Sequence, residues 1–307
     1  MVGLALVVPG LVGCASPRPS PAVDGAWTAV ASAPISVLEV GAAARDGRLW
    51  VAGGLRADGT ASDDVVVLDP ATGTWTTGPK LPERVHHASL VSDADGLLLV
   101  GGYAPTGPTA ATRRLADGAT AWTHGPPLPD ARAAGAAAYD GSRVVFAGGV
   151  GPDGVKSEVF ALEDGTWRRI ARLPRAREHL GAASDGAGRS FILGGRVGGL
   201  DNNLAVVDVI EGNRARTIGQ LPTPRGGVAG FWWPALGACL AGGESPGGAN
   251  PQVECIDADG TVRVLPDLGV ARHGVGAAVI DGAAYVVLGG REPGLFVSDV
   301  SERLVLP

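Results

Sequence analysis

Paired glycines recur along this chain at an almost constant interval. Each pair closes a short apolar run, and successive pairs are separated by 48, 47, 46, 48 and 47 residues. The six pairs are Gly53-Gly54, Gly101-Gly102, Gly148-Gly149, Gly194-Gly195, Gly242-Gly243 and Gly289-Gly290. Self-similarity at such a period is typical of repeat architectures, in which each unit packs against its neighbours. We therefore expect six copies of one structural unit.

Composition narrows the fold class. Glycine supplies 49 of the 307 residues, which disfavours helices because each glycine inside a helix costs about 1 kcal/mol relative to alanine. Apolar residues make up 45% of the chain and charged residues 18%, a balance too hydrophobic for a disordered protein. The net charge of −6 argues against a nucleic-acid partner, which normally requires a basic face. These values favour an all-β protein.

Two further columns follow the same period. Trp27, Trp75, Trp122 and Trp167 each lie six residues before an alanine or leucine that is followed by proline. Ala215 and Val262 fill this column in the later units. An arginine column follows shortly after that hinge and consists of Arg84, Arg132, Arg177, Arg225 and Arg272.

The three columns together resemble the kelch repeat, in which an apolar strand ends in Gly-Gly and a tryptophan strand comes later in the unit. The resemblance covers residues 24–307 and implies an all-β, six-bladed kelch-type β-propeller with four strands per blade. After the last glycine pair the chain ends before the next position of the tryptophan column, while the segment around Trp27 belongs to no preceding unit. We therefore expect the Trp27 strand to complete the last blade and close the ring.

The N-terminal residues suggest a cellular location. Residues 2–12 are uncharged and mostly apolar, too short a run to span a bilayer, which needs about 20 residues. They fit the hydrophobic region of a signal peptide, and Leu11-Val12-Gly13-Cys14 resembles the lipobox of bacterial lipoproteins. The resemblance implies a lipoprotein signal peptide over 1–13, then a lipidated Cys14 and a proline-rich tether over 14–23. It places the propeller, residues 24–307, on the extracytoplasmic face of the cell membrane. A cleaved signal with a free Cys14 and a chance apolar start are the alternatives.

The other two cysteines flank one Gly-Gly pair. A hairpin symmetric about residue 247 sets Cys239 directly opposite Cys255. Directly opposed residues of antiparallel strands have Cα atoms about 4.5–5.5 Å apart, which suits a disulfide. We predict that bond, with two buried thiols as the alternative.

The arginine column is the candidate binding site. In the kelch family, the loops that carry it gather around the central channel, and similar arginines hold carboxylates of a partner in some members. Five convergent guanidiniums would form an electropositive cup for an anionic ligand, with Glu178 and His179 beside it. The alternative is a structural role, in which each arginine pairs with a nearby carboxylate or backbone group.

No convergent set of catalytic or metal-binding residues is evident. His86, His87, His179 and His273 lie in the same segments, but zinc or iron needs three or four ligands and no close pair shows metal-ligand spacing. We therefore expect no metal or cofactor and assign no catalytic residue.

The leading hypothesis is a monomeric, membrane-anchored binding module that presents its loops to a protein or glycan. The alternative is an extracytoplasmic sugar-acid isomerase or mutarotase similar to N-acetylneuraminate epimerase. In that case the arginines would bind the sugar carboxylate, and Glu178 or His179 would move protons.

Overall fold

Residues 24–306 are described by a computed structural model, in which six antiparallel four-stranded sheets form a ring. We number the sheets as blades 1 to 6 in the chain order of their innermost strands. Each inner strand contacts that of the next blade, and the inner strand of blade 6 contacts that of blade 1. The predicted all-β, six-bladed propeller is confirmed.

The strands of each blade run from the inner to the outer position as follows. They are Gly41–Arg45, Arg48–Ala52, Val65–Asp69 and Thr74–Thr77 in blade 1; Ser89–Asp93, Gly96–Val100, Thr112–Ala116 and Thr123–His124 in blade 2; Ala136–Tyr139, Val144–Ala147, Glu158–Glu163 and Thr166–Arg172 in blade 3; Gly181–Ser184, Arg189–Leu193, Val206–Glu211 and Arg214–Gln220 in blade 4; Ala229–Trp233, Gly237–Ala241, Val253–Ile256 and Val262–Leu265 in blade 5; and Gly276–Ile280, Ala283–Val287, Ser301–Val305 and Thr28–Ala29 in blade 6.

Short elements decorate the loops between the second and third strands. They are the hairpins Tyr103–Ala104 with Gly107–Pro108, Val150–Gly151 with Gly154–Val155, and Glu244–Ser245 with Gly248–Ala249, and the 3-10 turn Leu200–Asn202. Between residues 24 and 306, no helix has the length and apolar character that a membrane span requires.

Burial follows the position of a strand within its blade. The second strands Gly96–Val100, Gly237–Ala241 and Ala283–Val287 are buried at every position, because a neighbouring blade covers each face. The outer strand Thr74–Thr77 is largely exposed. The core therefore consists of six layers between blades rather than one central cluster.

The N-terminal segment closes the ring, as the sequence predicts. Thr28 pairs with Arg303 and Ala29 pairs with Glu302, which places this strand at the outer edge of blade 6. Trp27 is buried beside Leu304 in the layer between blades 5 and 6. Joining the two ends of the chain in one sheet stabilises the ring against opening.

The tryptophan column links neighbouring blades. The indole Nε1 of Trp122 in blade 2 donates a hydrogen bond to the carbonyl of Pro79, which follows the outer strand of blade 1. Trp167 in blade 3 donates in the same way to Pro126, after blade 2. Trp27 in blade 6 donates to Pro266, after blade 5. The column therefore combines a large apolar ring with one directed hydrogen bond across each of these interfaces.

Cys239 and Cys255 are joined by a disulfide. They are directly opposed on the second and third strands of blade 5, the register that the hairpin symmetry predicts. Both side chains are fully buried.

The glycine pairs connect each blade to the next. The second glycine of the first five pairs, and Gly289 in the sixth, donates its N–H to a carbonyl in the loop that enters the following blade. The six bonds run from Gly54 to Val85, Gly102 to Arg132, Gly149 to Arg177, Gly195 to Arg225, Gly243 to Arg272 and Gly289 to Val37, over 2.8–3.0 Å. A Cβ on Gly242, the first glycine of its pair, would lie 2.4 Å from the Arg272 oxygen. Only glycine allows this approach without displacing the neighbouring loop.

Blade 6 departs from the pattern by one residue. Leu288 takes the position of the first glycine with a φ of 60°, and Gly289 takes that of the second. The N–H of Leu288 bonds to the third strand at Val300, as that of Gly242 bonds to Gln252. The pair Gly289-Gly290 therefore lies one residue later than its sequence equivalents.

We predict that Gly242→Ala destabilises the protein by about 2–4 kcal/mol, because it adds a steric clash to the cost of a left-handed backbone. Gly73→Ala is the matched control, since Gly73 has nearly the same φ but nothing within 4 Å of its Cβ position. It should cost only about 1 kcal/mol. Chemical denaturation measures both, and equal losses would contradict the role given to close approach.

Candidate functional site

Six residues encircle the propeller axis where the chain enters each inner strand. They are Glu39, His87, Ala134, His179, Gly227 and Gly274, and all have left-handed backbones with φ between 52° and 68°. Each donates its N–H to the carbonyl of the ring neighbour that precedes it, and the six hydrogen bonds of 2.7–3.0 Å form a closed circle. We call this circle the axial ring and the propeller face on which it lies the mouth face.

Three side chains of the axial ring converge beside the channel. The Nε2 atoms of His87 and His179 lie 3.0 Å apart, and the Oε2 atom of Glu39 is 3.4 Å from Nε2 of His87. Gly227 and Gly274 contribute no side chain, and the side chains of Glu39, Glu244 and His273 lie beside them. The three convergent groups come from the entrances to blades 1, 2 and 4.

A second layer of charged groups surrounds this cluster. Glu178 Oε2 contacts Nδ1 of His179, and Arg196 Nε donates to Glu178 Oε1 over 3.2 Å. Arg196 Nη1 also donates to Glu244 Oε1 over 2.7 Å. His273 Nδ1 lies 3.5 Å from Glu39 and 3.6 Å from Glu244. Three carboxylates, Glu178, Glu244 and Glu39, therefore alternate with Arg196 and His273 around the mouth of the channel.

His86 and Tyr103 cover the cluster on the side of blade 2. The Nδ1 atoms of His86 and His87 are in contact, and the His86 ring stacks on Tyr103 with centroids 5.3 Å apart. Burial, and then the neighbouring His87, lowers the pKa of His86 to about 4. His86 is therefore an uncharged imidazole near neutral pH.

Burial and neighbouring charge act in opposite directions on the other titratable groups. Burial lowers the pKa of His87 and, more strongly, that of His179. Burial raises the pKa of Glu39, but His87 and His273 outweigh it and hold that pKa well below its usual range. Burial lowers the pKa of His273, yet its contacts with Glu39 and Glu244 raise it above the ordinary value. Near neutral pH the cluster therefore consists of an ionised Glu39 facing uncharged His87 and His179.

The arginine column does not form a cup at the mouth. Arg132, Arg177, Arg225 and Arg272 are at most 2% exposed, because their side chains extend into the blades that they precede. A buried guanidinium cannot bind a ligand in the channel, so the expected electropositive site is wrong for these four. The alternative of a structural role describes their contacts.

Three of these arginines form buried ion pairs on the third strand of their own blade. Each guanidinium lies 2.6 Å from a carboxylate oxygen, in the pairs Arg177–Asp208, Arg225–Glu254 and Arg272–Glu302. Each also donates to the carbonyl of the first left-handed residue at the end of its second strand, namely Gly194, Gly242 and Leu288. The charge is thus paired and further hydrogen-bonded, as a buried charge requires.

In the other three blades, the partners at these positions differ. In blade 3 Phe160 holds the third-strand position of those carboxylates, and the Arg132 guanidinium lies 5.6 Å from the centre of its ring, within cation–π range. Arg132 instead pairs with Glu158 and Asp130, each over 3.3 Å. In blade 1 the column position is held by Val37 and the third-strand position by Val66, and these two apolar side chains pack in one cluster. Arg84 lies outside the column, because Val85 provides the carbonyl for Gly54 and Arg84 is exposed.

The structure does bring Glu178 and His179 to the mouth face, where the sequence placed them. It adds Glu39, His87, Arg196, Glu244 and His273, which the sequence analysis did not assign to the site. Glu39, His87 and His179 each lie two residues after the column position held by Val37, Val85 and Arg177. Alignment of the six repeats on that column would have revealed their common position.

Comparison with known proteins agrees with the repeat pattern. The Kelch motif family matches residues 38–82, which include all four strands of blade 1. Kelch-like protein terF of Aspergillus terreus (strain NIH 2624 / FGSC A1156) is 27% identical over 303 residues. The match covers 93% of this chain and 56% of that protein, so the chain spans just over half the length of this relative. Neither finding supports the sugar-acid isomerase alternative, and the burial of its expected carboxylate-binding arginines removes its basis.

We predict that Arg225→Met costs about 3–5 kcal/mol of unfolding free energy, because it leaves Glu254 buried without its partner. The double substitution Arg225→Met with Glu254→Met should recover part of that loss. Arg84→Met, at an exposed position, should change stability by no more than about 0.5 kcal/mol. Urea denaturation of the four proteins checks this, and a double variant no more stable than Arg225→Met would contradict the pairing.

Proposed function

Because the chain carries a Kelch motif within a six-bladed propeller, we propose that it is a non-catalytic, membrane-anchored module that binds a protein partner. The loops of the mouth face provide the binding surface, and lipid on Cys14 holds the propeller at the extracytoplasmic side of the membrane. Kelch propellers generally mediate protein binding, which supports the class of function. The location of the surface is argued from exposed side chains.

Two adjacent hydrophobic residues project from the loop that follows Gly290 on the mouth face. Leu295 is 40% exposed and Phe296 is 59% exposed. Among the described residues, Val305 is the other large hydrophobic side chain with comparable exposure, 51%. Exposed aromatic and aliphatic neighbours at a loop tip are typical anchors of protein interfaces. This exposed pair is the observation that carries the proposal.

The loop is held in shape by its own backbone. Arg291 N–H donates to the carbonyl of Phe296 over 2.9 Å, and Val297 N–H donates to that of Leu295 over 3.0 Å. An ordered loop loses less conformational entropy when a partner binds. A contiguous apolar pair also suits an apolar protein side chain better than the hydroxyl-rich surface of a glycan, whose polar groups it would leave without hydrogen bonds.

We predict that Phe296→Ser weakens partner binding by about 30-fold, the effect expected on loss of a central aromatic anchor. Val305→Ser is the matched control: it removes an exposed hydrophobic side chain at the opposite end of the third strand of blade 6, away from the mouth. Cross-linking in intact producing cells, followed by quantitative mass spectrometry, would identify proteins retained by wild type and by Val305→Ser but lost from Phe296→Ser. The affinity would then be measured with the purified partner.

Two outcomes would contradict the proposed interface. One is a partner that Phe296→Ser retains at full affinity. The other is specific binding of a glycan at the mouth with no protein partner, which would assign a different ligand class to the same face.

The anchor has its own test, because residues 1–23 lie outside the described part of the chain. We predict that wild type incorporates an alkyne-labelled fatty acid and partitions with membranes, whereas Cys14→Ser does neither. Cys14 is the residue that lipobox processing would modify. A covalently attached acyl chain contributes about 0.8 kcal/mol of membrane-binding free energy for each methylene that it buries. Label retained by Cys14→Ser would disprove the assignment.

A further inference from the structure

Glu39, His87 and His179 bring three groups of the kind that bind metal ions close together. Their donor atoms all lie within 4.8 Å of one another, although the residues are 48 and 92 positions apart in the chain. Two imidazoles and one carboxylate are the donor set typical of mononuclear non-haem metal sites. Three carboxylates, Glu39, Glu178 and Glu244, lie around the two imidazoles, whereas Arg196, paired with Glu178 and Glu244, is the fixed positive charge beside them. The carboxylates outnumber that charge, so the surroundings favour a cation.

The spacing of the donor atoms suits one ion. Two neighbouring ligands of an octahedral ion with bonds of about 2.1 Å are about 3.0 Å apart, and those of a tetrahedral ion are about 3.4 Å apart. The observed distances are 3.0 Å between the two histidine Nε2 atoms and 3.4 Å from His87 Nε2 to Glu39 Oε2. These two separations match those of ligands on one ion, and the donor atoms of Glu39 and His179 lie within 4.8 Å of each other.

The second layer orients the histidines for this role. His179 directs Nδ1 at the Glu178 carboxylate, which Arg196 holds from its far side. His87 directs Nδ1 at His86. A carboxylate beside Nδ1 favours the tautomer that carries its proton on Nδ1 and presents the lone pair of Nε2, and such outer partners accompany most metal-bound histidines.

We propose that Glu39, His87 and His179 bind one divalent first-row transition metal ion, of the class of Fe²⁺, Co²⁺ and Zn²⁺, at the mouth of the channel. Three protein ligands on one side leave coordination positions for water or a ligand in the channel. This proposal departs from the sequence-based expectation that the chain has no metal site. It is independent of the interface at Phe296, because the two involve different residues and different assays.

The direct test is metal binding by the full chain after treatment with a chelator. Calorimetric titration with Zn²⁺ and with Co²⁺ should show one ion per chain, and Co²⁺ should shift the ring-proton resonances of His87 and His179. Anaerobic titration with Fe²⁺ would then establish the preference among the three ions. Bound metal should raise the melting temperature, because the ion binds only the folded site.

Variants separate this site from adventitious binding. His87→Asn and His179→Asn each remove one ligand and keep a residue that tolerates the left-handed backbone of the axial ring. Each should weaken binding by at least about 100-fold, whereas Glu178→Gln, which alters only the outer partner, should weaken it about 10- to 100-fold. His124→Asn is the control, since His124 is exposed on the outer strand of blade 2. Circular dichroism and thermal melting verify that each variant is folded.

The results decide the proposal in either direction. Stoichiometric binding that is lost in the ligand variants and retained in His124→Asn would establish the site. No stoichiometric binding by folded wild type would show that the three side chains form only a hydrogen-bonded plug. Binding that survives the double substitution His87→Asn with His179→Asn would place the ion elsewhere on the chain, and would equally overturn the assignment.

Discussion

The propeller depends on a backbone hydrogen bond that crosses every blade interface on the mouth face. The second left-handed residue at the end of each second strand donates its N–H to a carbonyl of the loop that enters the next blade. In blades 4 to 6 the residue that offers this carbonyl is an arginine, whose side chain turns into its own blade and binds a carboxylate there. One residue thereby holds the preceding blade through its backbone and its own blade through its side chain. Blade 1, with Val37 and Val66 in these places, shows that apolar packing can replace the ion pair while the backbone bond stays.

The chemistry at the mouth follows from that arrangement. Two residues after the interface carbonyl, the chain reaches the axis and forms the closed axial ring, with one residue from each repeat. The geometry is almost the same six times, but the side chains differ, and Gly227 and Gly274 contribute none. The result is a cluster of Glu39, His87 and His179, surrounded by Arg196, His273 and the carboxylates of Glu178 and Glu244.

Much of the fold was predictable because the repeats are regular. The interval of the glycine pairs predicted six units, the unmatched Trp27 segment predicted ring closure, and hairpin symmetry predicted the Cys239–Cys255 register. Two alignment errors arose where the repeats deviate by one residue. Arg84 was aligned with the arginine column although Val85 occupies that position, and the pair Gly289-Gly290 was aligned with the others although Leu288 takes the first place. A periodic count cannot detect such slips, because it follows residue type and not backbone conformation.

The sequence by itself determined the number of blades, their closure and the register that sets Cys239 opposite Cys255. These properties follow from local rules, namely where a Cβ is forbidden, where apolar runs begin and end, and how antiparallel strands pair. Only the tertiary structure decided which charges are buried and which face the channel. That outcome depends on the direction in which each side chain leaves the backbone and on partners from other strands and blades, so the arginines point inward to Asp208, Glu254 and Glu302. Glu39, His87 and His179 meet because closing the ring brings the entrances of separate blades around one axis.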